Sequence, residues 1–173
     1  MLQEGKQIFN MAFIKTLTID DFYTPEGAYN LSLVAKSLSF VQKELGRELE
    51  NFNHVPDDIS EIISNTIARK VEVDMDRSGV FRLPEVFVHF EDFESDKDWI
   101  LVVALDHTYF NIYEHKDGAR NALEGYEFPY RDLFQWNVKV NYELEPGQAV
   151  FFRPWLFHSF TGNLVQIFRL RDI

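Results

Sequence analysis

The chain of 173 residues contains no cysteine. Disulfides and thiolate metal centres are therefore excluded. Basic residues are few: 17 Lys and Arg stand against 28 Asp and Glu, a net charge of −11. Backbone binding to nucleic acid needs a basic surface, as does an anionic membrane, so neither is an expected partner. No apolar run reaches the roughly 20 residues of a membrane span. Residues 1–10 lack the apolar core of a secretion signal, with Met11 a second candidate start. The expectation is a soluble cytoplasmic protein. There are no internal repeats, low-complexity tracts or interdomain linkers, so one domain over 1–173 is expected. What the chain has in quantity is phenylalanine, 17 in all, which points to a folded, aromatic-packed core.

Local patterns give two helices and then strands. Residues 12–23 read as a short strand ending at Asp20-Asp21. Thr24 offers an N-cap oxygen and Pro25 a locked first helical residue. Leu31, Val34, Leu38, Val41 and Leu45 follow at helical spacing, so this helix is expected to reach Gly46. After a polar stretch at 50–56, Asp57-Asp58 opens a second helix. Ile59, Ile62, Ile63 and Ile67 form its apolar face, and it fades near Lys70. From Val71 the period becomes two. A hairpin turn is expected at Arg77-Ser78-Gly79. Strands are expected at 86–90, 99–105, 109–113, 133–144, 148–160 and 163–171, with Pro154 at an edge or bulge. A helical layer over about 24–70 and a barrel over about 71–173 make a mainly β fold with N-terminal helices, a jelly roll or cupin-like barrel.

Histidines carry the first candidate chemistry. His89 and Glu91 are two apart on a strand, so their side chains share a face about 7 Å apart. One strand can then offer imidazole and carboxylate to one metal, with His158 as a third ligand if its strand lies beside the first. Two His and one carboxylate suit non-haem Fe(II). Arg169, or Arg171 on the same face, could hold a carboxylate co-substrate. The plain alternative is a half-exposed strand His89 and a hydrogen-bonded core His158. A rival site is Asp74-Met-Asp76-Arg-Ser78-Gly79 through Glu85, which has EF-hand spacing at positions 1, 3, 5 and 12 with Gly at 6. Pro84 and the strand after it deny it the exiting helix, and the hairpin explains the same residues. His54, His107 and His115 read as loop or surface residues, Trp136 and Trp155 as core.

Several stretches occur in an informative order. Leu17-Thr-Ile-Asp-Asp-Phe22 precedes the first helix. Val88-His-Phe-Glu-Asp92 and Trp99-Ile-Leu-Val-Val-Ala-Leu105 follow. Then come Phe110-Asn-Ile-Tyr-Glu-His-Lys-Asp-Gly118, Pro146 through His158, and Arg169. In this order the chain from Leu17 onward resembles a small 2-oxoglutarate/Fe(II)-dependent oxygenase of the double-stranded β-helix type. It is similar to compact bacterial and phage members of the prolyl-hydroxylase-like group. The resemblance implies Fe(II) on His89, Glu91 and His158, and 2-oxoglutarate with its far carboxylate on Arg169. It implies hydroxylation of a small molecule or peptide side chain, with Tyr113 and His115 as substrate contacts and the loops at 91–98 and 116–132 selecting the substrate. Two features depart from the family pattern. Glu91 stands where the family has Asp, and Asp106-His107-Thr108 stands where Gly-Gly is frequent. They define a second reading, a degenerate member that has lost iron and serves as a binding or structural module. A third is a cupin-like metal-binding protein with other chemistry.

Overall fold

The computed structural model describes residues 16–38, 40–43, 46–49, 55, 57–83, 88–122 and 133–173. Among them the strands are β1 (Leu17–Ile19), β2 (Phe40–Lys43), β3 (Gly46–Leu49), β4 (Val71–Leu83), β5 (Asp98–Ala104), β6 (Thr108–His115), β7 (Trp136–Leu144), β8 (Ala149–Phe152) and β9 (His158–Asp172). The helices are α1 (Pro25–Lys36) and α2 (Ile59–Thr66). The larger sheet has the order β1-β8-β5-β9-β4-β3-β2, and β7-β6 pairs with the start of β9 in a smaller one. Every pairing between these strands is antiparallel.

β9 belongs to both sheets. His158 to Thr161 pair with Ile112 to Tyr109 of β6, whereas Val165 to Arg171 pair with Ala104 to Asp98 of β5. The crossing falls at Gly162. A Cβ there would stand 2.6 Å from Thr108 Oγ1 and 3.1 Å from the His107 carbonyl, so only glycine permits this approach. The two layers then face each other. Ile100 and Val102 of β5 meet Phe110 and Ile112 of β6 and Phe160, Val165 and Ile167 of β9 in one core. This is a jelly roll of the double-stranded β-helix type.

The larger sheet is covered on its outer face as well. Trp99, Leu101 and Val103, the alternate residues of β5, pack with Ile59 and Ile63 of α2. Burial on both faces is why 99–105 reads as an unbroken apolar run. Ser60 and Ser64 of α2 also bond the backbone of Val73 and Val71, satisfying groups on β4. α1 packs Ala35 against Val80, Leu105 and Leu164 beside the crossing.

Several elements differ from their expected form. Thr24 does cap α1, its Oγ1 accepting from Gly27 N at 3.0 Å. The helix ends at Lys36, where Ser37 Oγ donates to the Val34 carbonyl and competes with helical bonding. It buries Ala28, Ser32 and Ala35, small enough for close approach, and leaves Val34 46% exposed, as is Leu38 just beyond its end. Val41 lies in β2 and Gly46 opens β3, so the helical layer contains a hairpin. Residues 71–83 form one strand in place of the expected hairpin. Asp74 pairs with Arg169 and Gly79 with Ile167, so four residues bulge opposite Phe168. Ser78 Oγ donates to the Asp74 carbonyl and closes the bulge. Strand on both sides removes the EF-hand reading. The last break comes at Pro154, between β8 and β9, because β9 keeps its pairing through the crossing. Residues 12–15, Leu45, 50–54 and 84–87 lie outside the described residues.

Candidate metal centre

Residues 88–91 lie antiparallel beside the start of β9. His89 N donates to His158 O and His158 N to His89 O, both at 2.9 Å, and Glu91 N donates to Pro154 O at 2.8 Å. The two-residue period sets His89 and Glu91 on one face. Val88, on the opposite face, packs with Tyr113, Trp136 and Phe157.

The three side chains converge. Glu91 Oε1 is 3.2 Å from His89 Nε2 and 3.5 Å from His158 Nε2. One ligand atom from each lies within 4.8 Å of the others. All three residues are buried, His158 completely. His158 Nδ1 lies 2.7 Å from the Leu156 carbonyl, which can only accept. Nδ1 therefore carries the proton and Nε2 keeps its lone pair. That Nε2 has no hydrogen-bond partner among the described residues. A buried nitrogen left so is costly, and a filled coordination position would answer it.

The electrostatics suit a cation. Burial pushes the His158 imidazole down to about 4, and His89 acts in the same direction. The ring is neutral at neutral pH, the form that ligates metal. Burial works to raise the Glu91 carboxyl, but His89 and the Arg169 guanidinium outweigh it and hold it well below the usual carboxylate range. Two histidines and one carboxylate fit non-haem Fe(II). Phe152, Phe160 and Phe110 surround His158 with ring centroids at 4.7, 5.1 and 5.8 Å.

Arg169 reaches the same carboxylate. Its Nη2 donates to Glu91 Oε2 at 2.7 Å and its Nη1 to the Asp92 carbonyl at 3.2 Å. Arg169 and His158 are eleven residues apart, and the crossing at Gly162 brings them together. Arg171 is engaged elsewhere, with Glu94 Oε2 at 2.6 Å and Asp98 Oδ1 at 3.1 Å. Both arginines line a cleft of about 380 Å³ whose wall carries six carboxylates, from Glu72 to Asp98, and Arg77.

Tyr113 and His115, at the end of β6, lie around Trp136. Tyr113 is buried with its hydroxyl 2.8 Å from Ser159 Oγ. His115 sits 2.9 Å from Asp117 Oδ1, its ring edge-on to Trp136. Trp136 and Trp155 are core residues. His107 is exposed between Glu143 and Glu145, each of its ring nitrogens facing one carboxylate. His54 and residues 123–132 lie outside the described residues. Sequence reasoning missed the carbonyls of Leu156 and Pro154 and the Arg169–Glu91 pair. Backbone partners leave no side-chain signal.

No protein-family model matches the chain, and no curated protein matches its sequence. Solved structures match its fold. HygX from Streptomyces hygroscopicus, with nickel and 2-oxoglutarate bound, aligns with a TM-score of 0.61 at 9% identity, over 96% of this chain and 86% of its own. The same protein has been solved with hygromycin B and with iron. The non-heme alpha ketoglutarate dependent epimerase SnoN from nogalamycin biosynthesis aligns with a TM-score of 0.60 at 11% identity, over 97% and 84%. AviO1 from Streptomyces viridochromogenes Tue57 aligns with a TM-score of 0.56 at 10% identity, over 91% and 89%. At these identities the likeness is one of fold.

Proposed function

We propose that this protein is a 2-oxoglutarate- and Fe(II)-dependent oxygenase that hydroxylates a small molecule or a peptide side chain. The observation that carries the reading is the unpartnered Nε2 of His158, aimed with His89 and Glu91 at one point. When bound, iron and 2-oxoglutarate would activate O₂, the oxidant and the source of the hydroxyl oxygen, with 2-oxoglutarate oxidised to succinate and CO₂, and the protein supplies placement. His89 and His158 would hold the ion through Nε2, and Glu91 through Oε1. The Leu156 carbonyl fixes the His158 ring. The three phenylalanines exclude water from that side. Arg169, and behind it Arg171, are the cations at hand for a co-substrate carboxylate. The carboxylate-rich cleft disfavours a strongly anionic prime substrate. HygX, solved with 2-oxoglutarate bound, and SnoN, named as alpha ketoglutarate dependent, support the reading through shared fold.

A second reading draws on the same site. The phenylalanines pack closely around His158, and Arg169 is paired with Glu91. Both features would also suit a binding module without iron. Anaerobic Fe(II) titration with 2-oxoglutarate separates the two. The oxygenase gives a weak visible charge-transfer band that His158→Ala abolishes. A folded wild type that binds no iron and shows no band is the binding module.

A further inference from the structure

We propose that Arg169 is a positioning residue for the metal carboxylate and that Glu91, longer than aspartate, is matched to it. The proposal rests on the metal-centre reading. Glu91 spans two partners with two oxygens: Oε1 faces both imidazoles, at 3.2 and 3.5 Å, and Oε2 accepts from Arg169 at 2.7 Å. Arg169 is itself held at two further points. Its backbone N donates to Ser78 Oγ at 3.0 Å, and Nη1 holds the Asp92 carbonyl. Ser78 is fixed in turn by its bond to the Asp74 carbonyl at 2.6 Å, at the base of the β4 bulge. A relay thus runs from the bulge through Ser78 and Arg169 to Glu91.

Reach decides the residue type at 91. An aspartate is shorter by one methylene, about 1.5 Å. From the same backbone, held by Pro154 O, it can approach the imidazoles or the guanidinium but not both. Partners that orient a metal ligand usually matter to affinity by roughly 10–100-fold when removed. The guanidinium has five N–H donors, so holding Glu91 still leaves donors for a co-substrate carboxylate. The two roles separate when co-substrate is left out.

The test is Co(II) titration of the full chain without 2-oxoglutarate, followed by the visible absorption of the ion. Wild type, Arg169→Gln, Arg169→Lys, Glu91→Asp and the double variant Glu91→Asp/Arg169→Gln are compared. Arg169→Gln and Glu91→Asp are each expected to weaken Co(II) by roughly 10–100-fold. Arg169→Lys regains part of the loss, and the double variant is no weaker than the worse single, because one contact is lost in each. Thermal melts check folding, and Arg169→Lys carries the test if Arg169→Gln does not fold. Wild-type affinity in the folded Arg169 variant overturns the proposal and leaves the metal centre standing. A wild type that binds no Co(II) overturns the metal-centre reading itself.

Discussion

A single proton fixes the chemistry of His158. The Leu156 carbonyl claims Nδ1–H, and the other nitrogen is left aimed at Glu91 and His89. The pairing of His89 with Glu91 was legible in the sequence, because a strand repeats every two residues. That His158 would join them was legible only as a condition on strand adjacency, which the bridge between His89 and His158 meets. The choice between Arg169 and Arg171 was not legible. They share parity on β9, and the path of residues 91–98 across the sheet end decides which carboxylate each one meets. That path also makes Asp98 a sensitive position. Burial tends to raise its carboxyl, but backbone N–H of Glu94, Arg171 and backbone N–H of Ser95 together lower it. A lowered folded value stabilises the fold above the ordinary carboxylate range, and the effect is lost as pH falls through the folded value. Asp98→Asn should therefore be less stable than wild type at neutral pH, with the gap closing in acid. Denaturant unfolding from about pH 7 to about pH 3 measures it, the ordinary aspartate value being about 3.9. A gap that does not change with pH would contradict the assignment.

Among elements, β9 does the most to build the site. Its first residues carry His158 into one sheet and its last carry Arg169 in the other. Gly162 sits at the crossing with Thr108 Oγ1 where a side chain would be. Gly162→Ala should cost about 1–3 kcal/mol, as overpacked sites do, and should move β6 away from β9. Denaturant unfolding reads the first effect; wild-type stability would mean that Thr108 yields freely. Element type was legible where periodicity was strong, as at α2 and β5. It failed where spacing misled. The apolar stripe after Leu31 continues helical spacing past the end of α1, but Val41 pairs with Glu48 in a hairpin. The calcium-like spacing after Asp74 arises because a bulge, like a metal loop, gathers short polar residues and glycine.

At the scale of the molecule, two helices followed by antiparallel strands were enough to foresee a jelly roll with a helical layer. The crossing of β9 was not, because it depends on pairing partners far apart in the chain. The helices cover one face of the larger sheet, and the opposite face forms the barrel interior that encloses the triad. No helix among the described residues is long and apolar enough to cross a membrane. The net charge of −11 gathers in part on the cleft beside Arg169, so charge and site meet at one end of the barrel. The most direct measurement is crystallographic: an anomalous difference map at the iron edge, from crystals soaked anaerobically with Fe(II). The account predicts one strong peak within bonding distance of His89 Nε2, Glu91 Oε1 and His158 Nε2. Iron only at the exposed His107, Glu143 and Glu145, or no ordered iron, would contradict it.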